Sequence, residues 1–184
     1  MIALRYAFLH DARRCTGCRT CAAACRNQHR LEPGLTLREV YAYREEPTDP
    51  RRHFLSVACH HCAEPECVRV CPTGAQFKRA DGLVIQNHDQ CLGCRLCMIA
   101  CPYGSPRYSA RERKVVKCDL CVDRLEAGRE PACVEACHTR ALRLIDLDTY
   151  TGDWVAPNVP GFPARAFTDP SIRFVVPKNA PTAR

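Results

Sequence analysis

Apolar residues in this chain come in short runs, none long enough to form a core by itself. Leu4–Leu9 reads as a strand, and so does Phe54–Val57. Phe77–Ile85 is apolar at both ends around Asp81-Gly82, which predicts a hairpin turning at that pair. Ala141–Leu147 alternates apolar and polar positions and reads as a further strand, and Ile172–Val176 is a late apolar piece. Between these runs lie four polar, cysteine-bearing loops, each leading into a short predicted helix. Strand, cysteine loop, helix and strand thus recur four times, the mark of an internally repeated chain. The fold class expected is α+β, small and loop-rich. No stretch approaches the ~18 apolar residues of a membrane helix. Met1–Arg14 has no apolar core of a secretory signal, so neither a span nor an export signal of its own is expected. Six of the fourteen prolines (Pro157, Pro160, Pro163, Pro170, Pro177 and Pro181) fall near the end, and residues 151–184 read as an extended arm laid over a partner.

The cysteines change the picture. There are sixteen, in four groups of four with none left over. Group one is Cys15, Cys18, Cys21 and Cys25, and group three, Cys91, Cys94, Cys97 and Cys101, repeats its spacing. Group two (Cys59, Cys62, Cys67, Cys71) is stretched by two residues before its third cysteine. Group four (Cys118, Cys121, Cys133, Cys137) carries eleven residues in the same interval. The C-x2-C-x2-C-x3-C run is that of bacterial ferredoxins: three thiolates hold one [4Fe–4S] cube and the fourth reaches another. A helix beginning at the third cysteine carries the fourth about one turn away, toward a neighbouring cube. Groups therefore work in pairs, each lending a ligand to the other. Only the interval before the third cysteine varies, where a loop can bulge outward. Four groups imply four [4Fe–4S] clusters and a path for electrons.

Zinc ribbons also use C-x2-C pairs, but they close on two pairs and not on this run. A disulfide framework suits a short secreted chain, and closely spaced C-x2-C pairs are poorly placed to bridge distant elements. Hydrophobic content is 46 %, but without the cysteines it falls to roughly 37 %, low for a globular domain. Metal–sulfur bonds must then supply much of the folding free energy, and the metal-free chain is expected to be largely unfolded. The formal charge of +7 would suit nucleic acid. Four oxidised clusters of about −2 each bring it to about −1, and the basic residues form no long run, so no nucleic-acid partner is expected.

The chain resembles the four-cluster iron–sulfur subunit of the dimethyl sulfoxide reductase family of molybdenum enzymes, over nearly its whole length. Carrying the resemblance are Arg14-Cys-Thr-Gly-Cys-Arg-Thr-Cys21, Cys71-Pro-Thr-Gly-Ala75, Cys91-Leu-Gly-Cys-Arg-Leu-Cys97 and Ala100-Cys-Pro-Tyr-Gly-Ser-Pro106. Lys117-Cys-Asp-Leu-Cys121 with Arg124, Gly128, Pro131 and Cys133-Val-Glu-Ala-Cys137 extends it, as do Ala166-Phe-Thr-Asp-Pro170 and Pro177-Lys-Asn-Ala180. The flanking pieces are most similar to the dimethyl sulfoxide reductase branch.

The resemblance implies that groups one and four pair, and groups two and three. It places Cys15, Cys18, Cys21 and Cys137 on one cube, and Cys118, Cys121, Cys133 and Cys25 on its neighbour. Cys59, Cys62, Cys67 and Cys101 would hold the third, and Cys91, Cys94, Cys97 and Cys71 the fourth. The fold implied is two ferredoxin-like units related by duplication: an outer unit of residues 1–50 with 107–150, and an inserted unit of residues 51–106. The partners implied are a molybdopterin catalytic subunit and a quinol-oxidising membrane anchor. Attachment to the cytoplasmic membrane would then come through those partners, with co-export to the periplasmic side favoured. The same role in a formate dehydrogenase, or in a tetrathionate, polysulfide or sulfite enzyme, is the alternative. Sixteen thiolates for four cubes leave no iron open and no phosphate loop or nucleophile triad is seen, so an electron-transfer subunit without catalysis of its own is expected. The chain departs from the family at His138 and Arg26, where proline commonly follows the last cysteine of a group. His138 reads as a surface loop residue, with cluster tuning the alternative. His60 and His61 lie between ligands but are not needed as ligands, and Trp154 and the tyrosines read as packing groups.

Overall fold

One small plan is repeated four times along the chain. The computed structural model describes residues 4–44, 52–152 and 167–176. In it β1 (Tyr6–Asp11) runs through the first cysteine loop to α1 (Thr20–Gln28) and β2 (Glu39–Tyr43). β3 (His53–Val57), α2 (Glu66–Arg69) and β4 (Gln76–Lys78) repeat it, followed by β5 (Val84–Gln86), α3 (Leu96–Ala100) and β6 (Arg107–Ser109). The fourth copy is β7 (Lys114–Val116), α4 (Val122–Glu126), α5 (Ala132–Glu135) and β8 (Leu142–Asp146), and β9 (Arg173–Val175) follows it.

Among the described residues the strands form one three-stranded sheet and three two-stranded ribbons. In the sheet β1 is central, antiparallel to β8 (Phe8 opposite Leu144) and parallel to β9 (His10 opposite Phe174). β1 begins later than its sequence suggested: Leu4 is exposed, and the strand continues to Asp11, whose N–H donates to Ala141 O at 2.7 Å. The β4–β5 hairpin turns at the expected pair, with Gly82 at φ +83° and Asp81 Oδ1 accepting from the Leu83 N–H at 3.2 Å. The β6–β7 hairpin was not foreseen. Its Val115 packs with Cys67, Val84 and Cys97, against the second and third cysteine groups.

Helices of four to nine residues have no stability of their own. They are held by packing in pairs, α1 against α5 and α2 against α3. The main core contains Phe8, Leu55, Val134, Leu142, Ile172 and Phe174, and Cys21, Cys59, Cys118 and Cys133 belong to the same cluster. Thiols are core material here, as the low apolar content requires.

Two expectations need correction. The long interval in group four is not a plain bulging loop: five of its residues form α4. There Arg124 is buried, donates Nε to Glu130 O at 2.8 Å and pairs with Glu135, which gives the inserted turn a fixed anchor. The extended arm on a partner does not describe residues 167–176. Ile172, Phe174 and Val176 are buried, and the Ala12 N–H donates to Val175 O at 2.8 Å. The same segment grips the second cysteine loop, through Ala63 N–H to Asp169 O (2.8 Å), Glu64 N–H to Thr168 O (3.0 Å) and Ser171 N–H to His60 O (3.0 Å). Its apolar side chains find their cover on β1, within the same chain. The rest of the expected arm, with Trp154, lies outside the described residues.

Candidate metal centres

Each group begins on a tight loop. In groups one and three the loop runs Cys-x-Gly-Cys-Arg, with Gly17 at φ +74°, Gly93 at +70°, Arg19 at +60° and Arg95 at +66°. A side chain on Gly17 would meet the Phe54 ring at 2.6 Å, and one on Gly93 would collide with the carbonyl of Arg113. In groups two and four a proline, Pro65 or Pro131, leads the helix instead. The third cysteine then lies on a helix in every group: Cys21 on α1, Cys67 on α2, Cys97 on α3 and Cys133 on α5. The fourth follows one turn later.

All sixteen cysteines are free thiols. Three cavities each collect four. Cys15, Cys18, Cys21 and Cys137 line one together with His10 and Ser56. Cys59, Cys62, Cys67 and Cys101 line another together with Lys117, Tyr103 and Thr168. Cys71, Cys91, Cys94 and Cys97 line the third. The remaining thiols are mutual neighbours: the charges of Cys133 and Cys121 act on Cys25, and that of Cys25 acts on Cys118. The four sets are named below the Cys15, Cys59, Cys91 and Cys118 sites. α1 and α5 each serve both the Cys15 and Cys118 sites, while α2 and α3 each serve the Cys59 and Cys91 sites. Cys59 also acts on Cys118, so these two sites adjoin across the pairs.

Exposure orders the sites. Cys18 and Cys94 are exposed, whereas Cys25, Cys118, Cys121, Cys133, Cys59, Cys62 and Cys67 are buried. Burial pushes the thiols of Cys25, Cys62 and Cys67 up to about 12, and those of Cys97 and Cys121 to about 11. Such groups are neutral without a cation. At the rim the Thr20 hydroxyl, donating to Cys18 at 3.4 Å, pulls that thiol down.

The donor set fits [4Fe–4S] clusters: soft thiols in fours, in cavities, with buried N–H donors that have no acceptor among the described residues. Those donors include Nε and Nη2 of Arg38, which is surrounded by Cys133, Cys118, Cys21 and Cys25. His10 stays neutral. Burial and then Arg38 lower its pKa to about 4, its Nε2 accepts from the Ser56 N–H at 3.3 Å, and among the described residues Nδ1 is left unpartnered beside the Cys15 cavity. Bound clusters would supply acceptor sulfides for such donors.

The other singled-out residues take their places plainly. His61 is buried and its Nδ1 accepts from the Val84 N–H at 3.0 Å, while His60 stacks on Tyr103 at 4.0 Å. His138 is exposed, as its surface-loop reading expects, and among the described residues no hydrogen bond joins it to Cys137; the Cys137 Sγ instead accepts from the Leu142 N–H at 3.3 Å and contacts Thr139 Oγ1 at 3.7 Å. Sequence reasoning missed the buried cations Arg38 and Lys117. Lys117 Nζ donates to the carbonyls of Cys118 (3.0 Å) and Val84 beside the Cys59 site. Arg38 lies in no motif, and nothing local marks it.

Comparison with known proteins agrees with this chemistry. Residues 51–147 match the 4Fe-4S dicluster domain, and residues 13–28 a 4Fe-4S binding domain. An anaerobic dimethyl sulfoxide reductase chain of Escherichia coli (strain K12) is 40 % identical, over 96 % of this chain and 90 % of that protein. The protein of the same description from Haemophilus influenzae is 42 % identical, over 78 % of this chain and 75 % of that one. A tetrathionate reductase subunit of Salmonella typhimurium is 40 % identical, over 72 % of this chain and 54 % of its own length. The protein belongs to the 4Fe–4S dicluster family and, within it, to the iron–sulfur electron-transfer subunits of the dimethyl sulfoxide reductase type.

Proposed function

We propose that this chain holds four [4Fe–4S] clusters and relays electrons between a molybdopterin catalytic subunit and a quinol-oxidising membrane anchor. The observation that supports the reading is that three cavities each collect four free thiols and the remaining four are mutual neighbours, each helix of a pair leading to one ligand for the other's site. When bound, the clusters supply one-electron redox chemistry at fixed positions. The protein holds them in a series with the Cys15 and Cys91 sites at the ends and the Cys118 and Cys59 sites between. The buried middle excludes water, and the two more exposed ends suit contact with separate partners. The two ferredoxin-like units of this reading are residues 1–50 with 107–150, and residues 51–106, with the hairpin at 107–116 lying across their seam. No helix among the described residues is long and apolar enough to cross a membrane, so the subunit would reach the membrane through its partners, on the periplasmic side if co-exported.

A tetrathionate reductase-type complex is the second reading, favoured by 40 % identity to that subunit. The dimethyl sulfoxide reductase-type complex is preferred because its match spans 96 % of this chain rather than 72 %.

Anaerobically prepared protein should contain about sixteen iron atoms per chain. Stoichiometric zinc, or half that iron, overturns the reading. Cys137→Ser should alter the cluster at the Cys15 site, and Cys25→Ser should alter a different electron paramagnetic resonance signal. Loss of the same signal in both variants would mean that each group fills its own cube.

A further inference from the structure

Arg38 is 1 % exposed, and the groups that act most on its charge are thiols rather than carboxylates. Cys21 belongs to the Cys15 site, while Cys25, Cys118 and Cys133 belong to the Cys118 site. The guanidinium is therefore placed between the two sites of the outer pair. Its position is fixed on three sides. The Cζ atom stands 4.3 Å from the Phe8 ring centroid, and Nη1 donates to Ser56 O (3.3 Å) and Ser56 Oγ (3.0 Å). Nε and Nη2 have no acceptor among the described residues. Burial opposes the charge, but a guanidinium does not lose its proton in a protein, and the sulfurs of Cys133, Cys118, Cys21 and Cys25 around it act in favour of the cation.

The direction of the hydrogen bonds follows from chemistry. A guanidinium only donates, so Ser56 Oγ must accept from Arg38. The serine's own hydrogen is then left for Cys21 Sγ, 3.2 Å away. One fixed cation thus reaches the Cys15 site through a polarised hydroxyl, and its charge acts on Cys133, Cys118 and Cys25 of the Cys118 site.

We propose that Arg38 is a shared tuning cation of the outer pair, raising the reduction potential of both clusters. This rests on the four-cluster reading above. Each electron added to a cluster makes it more negative, and a cation in a low-dielectric interior favours the reduced form. A hydrogen bond to a ligand sulfur acts in the same sense, which assigns Ser56 a contribution to the Cys15 site alone.

The test is a redox titration of anaerobically purified holoprotein, followed by electron paramagnetic resonance, with iron counted first. Arg38→Met should lower the midpoint potentials of both outer-pair clusters together. Arg38→Lys should recover most of both, and Ser56→Ala should lower only the cluster that Cys137→Ser alters. The inner pair should not move. An Arg38→Met protein with full iron and unchanged potentials overturns the proposal, as does an Arg38→Lys protein shifted as far as Arg38→Met. If Arg38→Met does not retain its clusters, Ser56→Ala decides: an unmoved Cys15-site cluster overturns the proposal, and a selective fall supports it. A parent protein short of sixteen irons would count against the four-cluster reading itself, independently of any potential.

Discussion

The two end sites and the two middle sites are built from the same motif, yet their first two cysteine positions separate them: Cys15 and Cys91 are half-buried where Cys59 and Cys118 are buried. The second cysteine of each end group, Cys18 or Cys94, is exposed, while its counterparts Cys62 and Cys121 in the middle are buried. The end groups pass from second to third cysteine through a single left-handed arginine, Arg19 or Arg95, followed by one more residue. The middle groups have four or eleven residues in that interval, and those residues provide cover. In group four the cover is α4, anchored by Arg124; in group two, the neighbouring Ala63 and Glu64 are tied down by residues 168–169 of the returning segment. An insertion that looks like tolerated slack in the sequence sets how deep the site lies. The ends also differ from each other. Leu92 and Ile99 are 73 % and 81 % exposed on the group that forms most of the Cys91 site, whereas Thr16, Arg19 and Thr20 line the Cys15 site.

The largest effect should come from removing iron. Structural metal bonding in small domains is worth on the order of 10 kcal/mol, comparable to a whole domain's stability. A chelator should strip the Cys15 and Cys91 sites first, and loss of the far-ultraviolet circular dichroism should follow loss of the middle sites. Unfolding that accompanied the first irons released would erase the distinction between ends and middle.

Next comes the anchor of α4. Arg124→Ala removes the bond to the Glu130 carbonyl and the pair with the exposed Glu135, at a cost of about 1.5 kcal/mol at most. Iron at the Cys118 site should then be released nearly as fast as at the ends, measured by chelation kinetics. Unchanged release would show that α4 does not seal the site.

The loop glycines compare the two ends directly. Gly93→Ala must push against the Arg113 carbonyl, and Gly17→Ala only against the Phe54 ring, which can turn. Both carry left-handed strain of about 1 kcal/mol, and Gly93→Ala should be the more destabilising by thermal unfolding of the holoprotein. The reverse order would mean that the two loops are not equivalent in their support.

A last contrast is between two apolar side chains. Val134→Ala, at a fully buried position on α5, should cost about 2 kcal/mol. Ile99→Ser, 81 % exposed, should stay within about 0.5 kcal/mol in denaturant unfolding.

Much of this architecture was legible because it is local. The β4–β5 hairpin follows from Asp81-Gly82, and the helix under each third cysteine from the three-residue step to the fourth. α4 was not legible, because five residues between Cys121 and Cys133 give too short a pattern to distinguish a helical turn from a loop. The β6–β7 hairpin was missed because its strands have three residues each and are selected by packing on the second and third groups.

By itself the sequence determined the cluster chemistry, the number of thiol groups and the repeated plan, since ligand spacing is a property of a few consecutive residues. Only the tertiary structure decided that residues 173–175 lie parallel to β1, that Cys18 and Cys94 face outward, and that Arg38 stands among thiols from both ends of the chain. Those features rest on contacts between residues far apart in sequence. Burial and charge add up in space, and no short pattern along the chain records that sum.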